Sequence, residues 1–187
     1  MRPLSSEFIN KLSGCITAKG LDHPRYAVVI PLVYDTEEPY LLIEVRAKGI
    51  SQAGDPCFPG GRIEPGETPA QAASRELKEE LDICVPPEEF LGQLPTVQTR
   101  LGSNSDVFVC CVSQEDAAHA RISPAEVETL LRVSVSFFLS QPEAMTYTVC
   151  GHTIWGMTAG AIRHFCAAWR QAETSGCHMK CPDSTLS

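Results

Sequence analysis

The chain has 187 residues, a net charge of −8 and 43% hydrophobic residues. This length suits one domain with its own core, and the composition is that of an ordinary globular protein. The acidic balance argues against a nucleic-acid-binding surface, which needs clustered Lys and Arg. No run approaches the ~18 apolar residues of a membrane span, so no membrane association is expected.

The nine cysteines are odd in number, and several lie within apolar runs. This pattern favours reduced thiols that pack as small hydrophobic side chains over a disulfide framework. The first residues also lack the apolar segment of a signal peptide. We therefore expect a cytoplasmic protein.

The first part of the chain predicts one helix and two apolar strands. Residues 5–13 have weak helical periodicity after a serine cap, and Gly14 is the expected end. The runs 26–34 and 40–45 are rich in apolar and β-branched residues, so both are predicted strands, the first of them central. Pro31 has no N–H for a ladder hydrogen bond, so we expect an edge or a bulge there.

A short strand at 58–63 is expected to lead into a helix at 68–81. Thr68 is the predicted N-cap, a proline occupies the first helical position, and Gln71 can complete a capping box. Asp82 follows where a helix stop is expected, because Asp tolerates the left-handed conformation better than most residues.

The second half of the chain predicts further strands and a long helix. Its predicted elements are strands at 90–97 and 106–112 around a turn at 102–105, a loop at 114–128 with a short helix at 124–128, a strand beginning at 133–135, a hairpin of 145–149 and 152–155, and a helix at 158–172. We assign residues 1–172 to a single domain and expect 173–187 to form a flexible tail. Propensity alone indicates a mixed α/β domain.

Three glutamates on the predicted helix at 68–81 carry the strongest functional signal. Glu76, Glu79 and Glu80 are spaced i, i+3 and i+4, so they project from one helix face. Their mutual repulsion destabilises a bare helix by a few tenths of a kcal/mol per pair. A cation would relieve it, and hard oxygen ligands suit Mg²⁺ or Mn²⁺ that carries a substrate phosphate. A solvated acidic face is the alternative.

The segment from Gly61 to Ile83 resembles the Nudix box, whose pattern is G-x5-E-x7-R-E-U-x-E-E-x-G-U with U aliphatic. The matching residues are Gly61, Glu67, Arg75, Glu76, Leu77, Glu79, Glu80 and Ile83. Asp82 stands where the family has its last glycine. The resemblance implies an α/β/α sandwich with a mixed sheet. It also implies Mg²⁺- or Mn²⁺-dependent hydrolysis of nucleoside diphosphates that are linked to another moiety.

The resemblance also implies roles for individual residues. The implied metal ligands are Glu76, Glu79, Glu80 and the backbone carbonyl of Gly61. Arg75 precedes the cluster and is expected to pair with Glu67, which would fix the loop before the helix to the helix itself.

The reaction needs one carboxylate that is free to accept a proton from the attacking water. Glu79 or Glu76 is the first choice for this base. Glu126 or Glu128, farther along the chain, is the alternative, although both could also be solvated surface residues.

A second resemblance concerns the substrate. The strand that ends in Arg46 and Ala47, followed by Gly54 and the segment 58–61, resembles the signature that precedes the box in coenzyme A pyrophosphatases. The signature's second arginine is absent, and Lys48 is the nearby cation. The implied substrate-binding residues are Arg46, Lys48, Phe58 and Gly60. The segments 91–96 and 154–159 are also similar to that subfamily.

The implied reaction is hydrolysis of coenzyme A or acyl-coenzyme A to 3′,5′-ADP and (acyl-)4′-phosphopantetheine. Two alternatives stay open: a Nudix pyrophosphatase for ADP-ribose or another nucleoside diphosphate derivative, and a non-catalytic Nudix-like ligand sensor. The three intact glutamates argue against a pure sensor. We expect a small nucleotide-type molecule as partner, and the oligomeric state stays open, with a homodimer among the alternatives.

Overall fold

A seven-stranded mixed sheet forms the centre of the protein in the computed structural model, which describes residues 4–20, 24–98, 102–141 and 143–175. Its strands are β1 (Tyr26–Val33), β2 (Tyr40–Arg46), β3 (Pro56–Cys57), β4 (Gly60–Arg62), β5 (Phe90–Gln98), β6 (Asn104–Val112) and β7 (Val127–Ser134). The order is β3-β2-β1-β6-β5, with β4 paired to β1 and β7 paired to β2. β1 and β6 run parallel, whereas the other pairs are antiparallel. β8 (Tyr147–Val149) and β9 (His152–Ile154) form a separate hairpin.

Helices cover both faces of the sheet. They are α1 (Ser6–Cys15), α2 (Pro69–Leu81), α3 (Gln114–His119), α4 (Val135–Leu139) and α5 (Gly156–Thr174). One buried cluster joins α5 to the sheet through residues such as Ile30 and Phe165. The other joins α2 to the opposite face through Val29 and Leu77. The predicted α/β/α sandwich is therefore confirmed. Within the described residues, no helix is long and apolar enough to cross a membrane.

β1 lies in the centre of the sheet and still contains Pro31. On one side β1 pairs with β4 as far as Val28 and with β2 only from Leu32. Val29 donates its N–H on this side, to the Pro59 carbonyl at 2.9 Å. Pro31, two residues later, faces the same side because backbone direction alternates along a strand. Its missing N–H therefore falls in the gap between the two ladders. The strand is not at an edge, but its pairing is interrupted at Pro31.

Several predicted boundaries are wrong between residues 113 and 134. The short helix lies at 114–119, at the start of the predicted loop and not at 124–128. Its start is fixed by Ser113, whose hydroxyl accepts from the Asp116 N–H at 3.0 Å. β7 begins at Val127, inside the predicted loop, because its ladder with β2 extends to Arg46. Long-range pairing outweighs the polar local sequence here.

The ends of the domain are also longer than predicted. α1 continues through Gly14 to Cys15. The last helix begins at Gly156 and ends at Thr174, so the predicted domain boundary at residue 172 falls two residues short. The predicted tail lies, from residue 176 onward, outside the described residues.

The predicted caps of α2 are confirmed. The Thr68 hydroxyl accepts from the Gln71 N–H at 3.2 Å, and the Gln71 side chain accepts from the Thr68 N–H at 2.8 Å. Asp82 ends the helix in the left-handed region with φ 57° and ψ 28°. Its N–H donates to the Lys78 carbonyl at 2.9 Å. The sharp exit directs the following chain back towards the sheet, where Ile83 is buried.

The stability of variants at position 82 should therefore follow how well each residue tolerates the left-handed backbone conformation. Alanine should destabilise the protein by roughly 1 kcal/mol relative to glycine, because a Cβ is strained in the left-handed region and alanine has no polar side chain to compensate. Asp82 should lie between the two. Urea denaturation of the three proteins, with an unchanged m-value, measures this order. An alanine variant as stable as the glycine variant would contradict it.

Candidate active site

Arg75 is the centre of a network of ion pairs on α2. Its Nε and Nη2 donate to the two carboxylate oxygens of Glu67 at 2.8 and 3.2 Å. Nη1 donates to Glu76 at 2.9 Å and to Glu79 at 3.0 Å. Nη2 also donates to the Arg62 carbonyl at 3.2 Å. The expected pair of Arg75 with Glu67 is present, and it is bidentate, the stronger arrangement.

This network fixes the loop between β4 and α2. Glu67 also accepts a hydrogen bond from the Glu64 N–H at 3.0 Å. The hydrogen bond from Arg75, followed by that from the Glu64 backbone, lowers the pKa of Glu67. The same network raises the pKa of Arg75 above its usual value, chiefly through Glu67. The loop and the helix are therefore held by charges that stay ionised near neutral pH.

Three carboxylates converge beside this network. Glu76, Glu80 and Glu126 each offer an oxygen, and the three oxygens lie within 4.8 Å of one another. Glu76 and Glu80 lie one turn apart on α2, whereas Glu126 precedes β7. The backbone brings Glu126 here, because Ala47 donates to the Glu126 carbonyl at 2.8 Å and Ser123 donates to the Glu80 carbonyl at 2.8 Å.

Burial makes two of these carboxylates, those of Glu76 and Glu80, hard to ionise without a cation. Glu80 is only 5% exposed. Burial raises the pKa of Glu80 to about 8, although its hydrogen bond from the Gly60 N–H at 2.9 Å opposes the shift. Burial also raises the pKa of Glu76. Oxygen donors that are close together and short of positive charge fit a hard divalent cation such as Mg²⁺ or Mn²⁺.

Two carboxylates that were predicted as a metal ligand or a base lie outside this group of three. The Glu79 side chain is 57% exposed and pairs with Arg75. Glu128 pairs with Lys48 at 3.4 Å, and the Lys48 side chain is 88% exposed. Of the two loop glutamates proposed as alternative bases, the structure thus brings Glu126 to the cluster and leaves Glu128 in a surface ion pair.

Glycines let the backbone of β4 approach the carboxylates. Gly60 and Gly61 pair with Val28 and Ala27 of β1. A Cβ at Gly60 would overlap the β1 backbone, and one at Gly61 would overlap the Glu76 carboxylate. Gly60 therefore needs to be glycine, whereas a side chain at Gly61 would displace the carboxylate of Glu76, a predicted metal ligand.

A cavity of about 260 Å³ adjoins the carboxylates, with Gly60 common to both. Its wall includes Arg46, Gln52, Asp55, Cys57, Phe58, Gly60, Trp155, Met157 and Thr158. Three of the four predicted substrate-binding residues line it, whereas Lys48 is not among the lining residues. Arg46 is held by a hydrogen bond from its Nε to the Ser51 carbonyl at 2.8 Å. Burial raises the pKa of the Cys57 thiol to about 12, so this thiol is neutral.

Sequence reasoning missed two residues at the site. Glu44 on β2 is 1% exposed, and burial followed by repulsion from Glu80 raises its pKa well above the usual value. A single acidic residue inside an apolar strand is the signal that could have identified it. Trp155, within the segment 154–159 and without a predicted substrate role, is half-buried and lines the cavity.

Comparison with known proteins assigns the family. The NUDIX domain family matches residues 23–144. Nudix hydrolase 3 of Caenorhabditis elegans is 35% identical over 105 residues, which are 50% of this chain and 42% of that protein. The uncharacterized Nudix hydrolase NudL of Enterobacter sp. (strain 638) is 31% identical over 159 residues, covering 76% of this chain and 81% of NudL. The mitochondrial coenzyme A diphosphatase NUDT8 of Mus musculus is 28% identical over 151 residues, covering 71% of this chain and 72% of NUDT8.

Solved structures agree on the fold. The Ap4A hydrolase of C. elegans, in a binary complex, has a TM-score of 0.56 at 17% identity and covers 76% of this chain and 96% of that one. At this identity the likeness supports the fold alone. The family match, in contrast, spans most of the chain and includes all three converging carboxylates. The chain therefore belongs to the NUDIX domain family and is a Nudix hydrolase, an enzyme that cleaves a pyrophosphate bond.

Proposed function

We propose that this enzyme hydrolyses coenzyme A or acyl-coenzyme A at the pyrophosphate. The products would be 3′,5′-ADP and (acyl-)4′-phosphopantetheine. The observation that carries this proposal is the cavity beside the carboxylates, because Arg46, Phe58 and Gly60 of the coenzyme A pyrophosphatase signature line it. The similarity to NUDT8, which is described as a coenzyme A diphosphatase, supports the same substrate.

Glu76, Glu80 and Glu126 are the residues that would hold Mg²⁺ or Mn²⁺, with the Gly61 carbonyl beside them. Their oxygens are close enough to share one ion. Glu44, buried against Glu80, has one carboxylate oxygen without a hydrogen-bond partner, which also fits a nearby cation. A bound divalent ion would neutralise phosphate charge and activate water as a Lewis acid.

Glu79 is our choice for the proton acceptor. The other three carboxylates are committed to the cation site, whereas Glu79 is exposed and lies one turn from Glu76. Arg75 fixes its position through a single hydrogen bond, which leaves the second carboxylate oxygen of Glu79 for water. Glu126 is the alternative base, since it is exposed at the edge of the group of three. Glu128 is less suitable, because Lys48 pairs with it.

Arg46 would contact a substrate phosphate. Its charge reaches the carboxylates, since it opposes the rise in the pKa of Glu80 that burial causes, and its side chain also lines the cavity. A cation at this boundary can bind a phosphate without displacing the metal. Coenzyme A differs from 3′-dephospho-coenzyme A by one such group, so the two molecules test whether Arg46 recognises the 3′-phosphate.

The first prediction concerns the substrate. Coenzyme A should be cleaved with a higher kcat/KM than 3′-dephospho-coenzyme A or ADP-ribose. Arg46→Ala should lower kcat/KM for coenzyme A by roughly ten- to a hundred-fold, because a charge-assisted phosphate contact is lost. Lys11→Ala, which removes a cation of α1 that does not line the cavity, is the matched control. A clear preference for ADP-ribose would refute the coenzyme A assignment and favour the alternative Nudix substrate.

The second prediction concerns the metal ligands. Glu80→Gln should lower kcat by about a thousand-fold or more, because charge stabilisation in the transition state is lost. Without metal its melting temperature should be unchanged or higher, since the substitution removes a charge from a crowded and buried group. Steady-state kinetics with Mg²⁺ and Mn²⁺, together with thermal unfolding, measure both effects. Near-normal turnover of Glu80→Gln would refute the assignment of the site.

The third prediction concerns Arg75, which acts through structure. Arg75→Ala should lower both turnover and the free energy of unfolding, the latter by about 1–3 kcal/mol, because three carboxylates lose a partly buried partner. Lys11→Ala, which breaks the exposed pair with Glu7, should change stability by no more than about 0.5 kcal/mol. Chemical denaturation measures the stability of both variants, and steady-state kinetics measures their turnover and KM. Unchanged stability with a raised KM would instead identify Arg75 as a phosphate ligand.

A further inference from the structure

Glu44 is a buried acid that the Nudix box does not include. It lies in the middle of β2 between Ile43 and Val45, which are both fully buried. Its Oε1 has no hydrogen-bond partner, and its Oε2 lies 4.0 Å from the Cys57 thiol sulfur, at the limit of a weak hydrogen bond. A buried carboxylate with so few hydrogen bonds to replace those it made with water destabilises the fold.

Packing alone does not require an acid at this position. Side chains alternate along a strand, so Glu44 faces the same side as Leu42, which belongs to the buried cluster under α2. An apolar side chain would fit between β2 and α2 as Leu42 does. The acid therefore lies under α2 at a cost to stability, and this cost needs another explanation.

The neighbours of Glu44 supply that explanation. Its carboxyl lies close enough to Glu80 for the two carboxyls to repel each other, and the charges of Arg46 and Glu126 also act on it. Arg46 is the one cation among these groups, and its Nε is already bound to the Ser51 carbonyl. Glu44 thus places a further buried carboxyl behind Glu80, on the side of the site that is closed to solvent.

We propose that Glu44 is a positioning residue of the metal centre, which acts through Glu80 to strengthen the binding of Mg²⁺ or Mn²⁺. This inference rests on the proposed metal site. Glu44 is not one of the three carboxylates whose oxygens converge, so it supports a ligand and is not itself one of them. A charge in a buried setting is weakly screened, so its removal should have a large effect on a divalent cation nearby.

The test is direct binding of Mn²⁺ in the absence of substrate. Free Mn²⁺ is measured by electron paramagnetic resonance in titrations of the wild type, Glu44→Gln and Glu44→Met. Both variants should bind Mn²⁺ at least ten-fold more weakly than the wild type, and their melting temperatures should rise less on addition of Mn²⁺. Glu37→Gln, in the exposed turn between β1 and β2, is the control for net charge and should bind as the wild type does.

A kinetic measurement separates this role from a merely structural one. High Mn²⁺ should restore the kcat of Glu44→Gln, because only occupancy of the site is lost. Wild-type affinity for Mn²⁺ in Glu44→Gln or Glu44→Met would overturn the inference, as would a loss of kcat that Mn²⁺ does not restore. If the wild type itself bound no Mn²⁺, the proposed metal site would fail, a result distinct from equal binding by wild type and variants.

Discussion

Repulsion between carboxylates on and beside α2 is the constraint on which the rest of the site depends. Glu76, Glu80 and Glu126 lie close together, with Glu80 buried and Glu76 partly buried, and such an arrangement is unstable by itself. Two hydrogen-bond donors reduce this repulsion: the Arg75 guanidinium, which donates to Glu76, and the Gly60 N–H, which donates to Glu80. The opposite face of α2 is anchored in the core, so hydrophobic burial holds the acidic face in place.

The sheet supplies the rigid frame for this arrangement. β4 pairs with the first residues of β1, and the Gly60 N–H of β4 donates to the Glu80 carboxylate. Because a side chain at Gly60 would overlap the β1 backbone, glycine is what lets β4 lie against β1 at this point. The turn before β7 is tied to the ends of both β2 and α2, so Glu126 is positioned as firmly as residues on the helix. The site is thus built from elements that are distant in sequence but share backbone hydrogen bonds.

Local spacing explains what could be predicted from the sequence. The caps of α2, the left-handed Asp82 and the pair of Arg75 with Glu67 all depend on residues within about two helical turns or one loop. The choice between Glu126 and Glu128 could not be made, because it depends on hydrogen bonds from residues 47 and 123. Glu44 was missed for the same reason. Its proposed role depends on its position beside Glu80, which is distant in sequence and becomes its neighbour only in the folded protein.

Solvent exposure divides the carboxylates of the site into two kinds. Glu80 and Glu44 are buried, where charge is weakly screened and attraction to a cation is strong. Glu79 is exposed and paired with Arg75, so it is in contact with water. The proposed mechanism uses both kinds, since tight cation binding and acceptance of a proton from water place opposite demands on a carboxylate. One helix meets these demands because Glu79 and Glu80, although adjacent in sequence, point about 100° apart around the helix axis, the one towards solvent and the other towards the sheet.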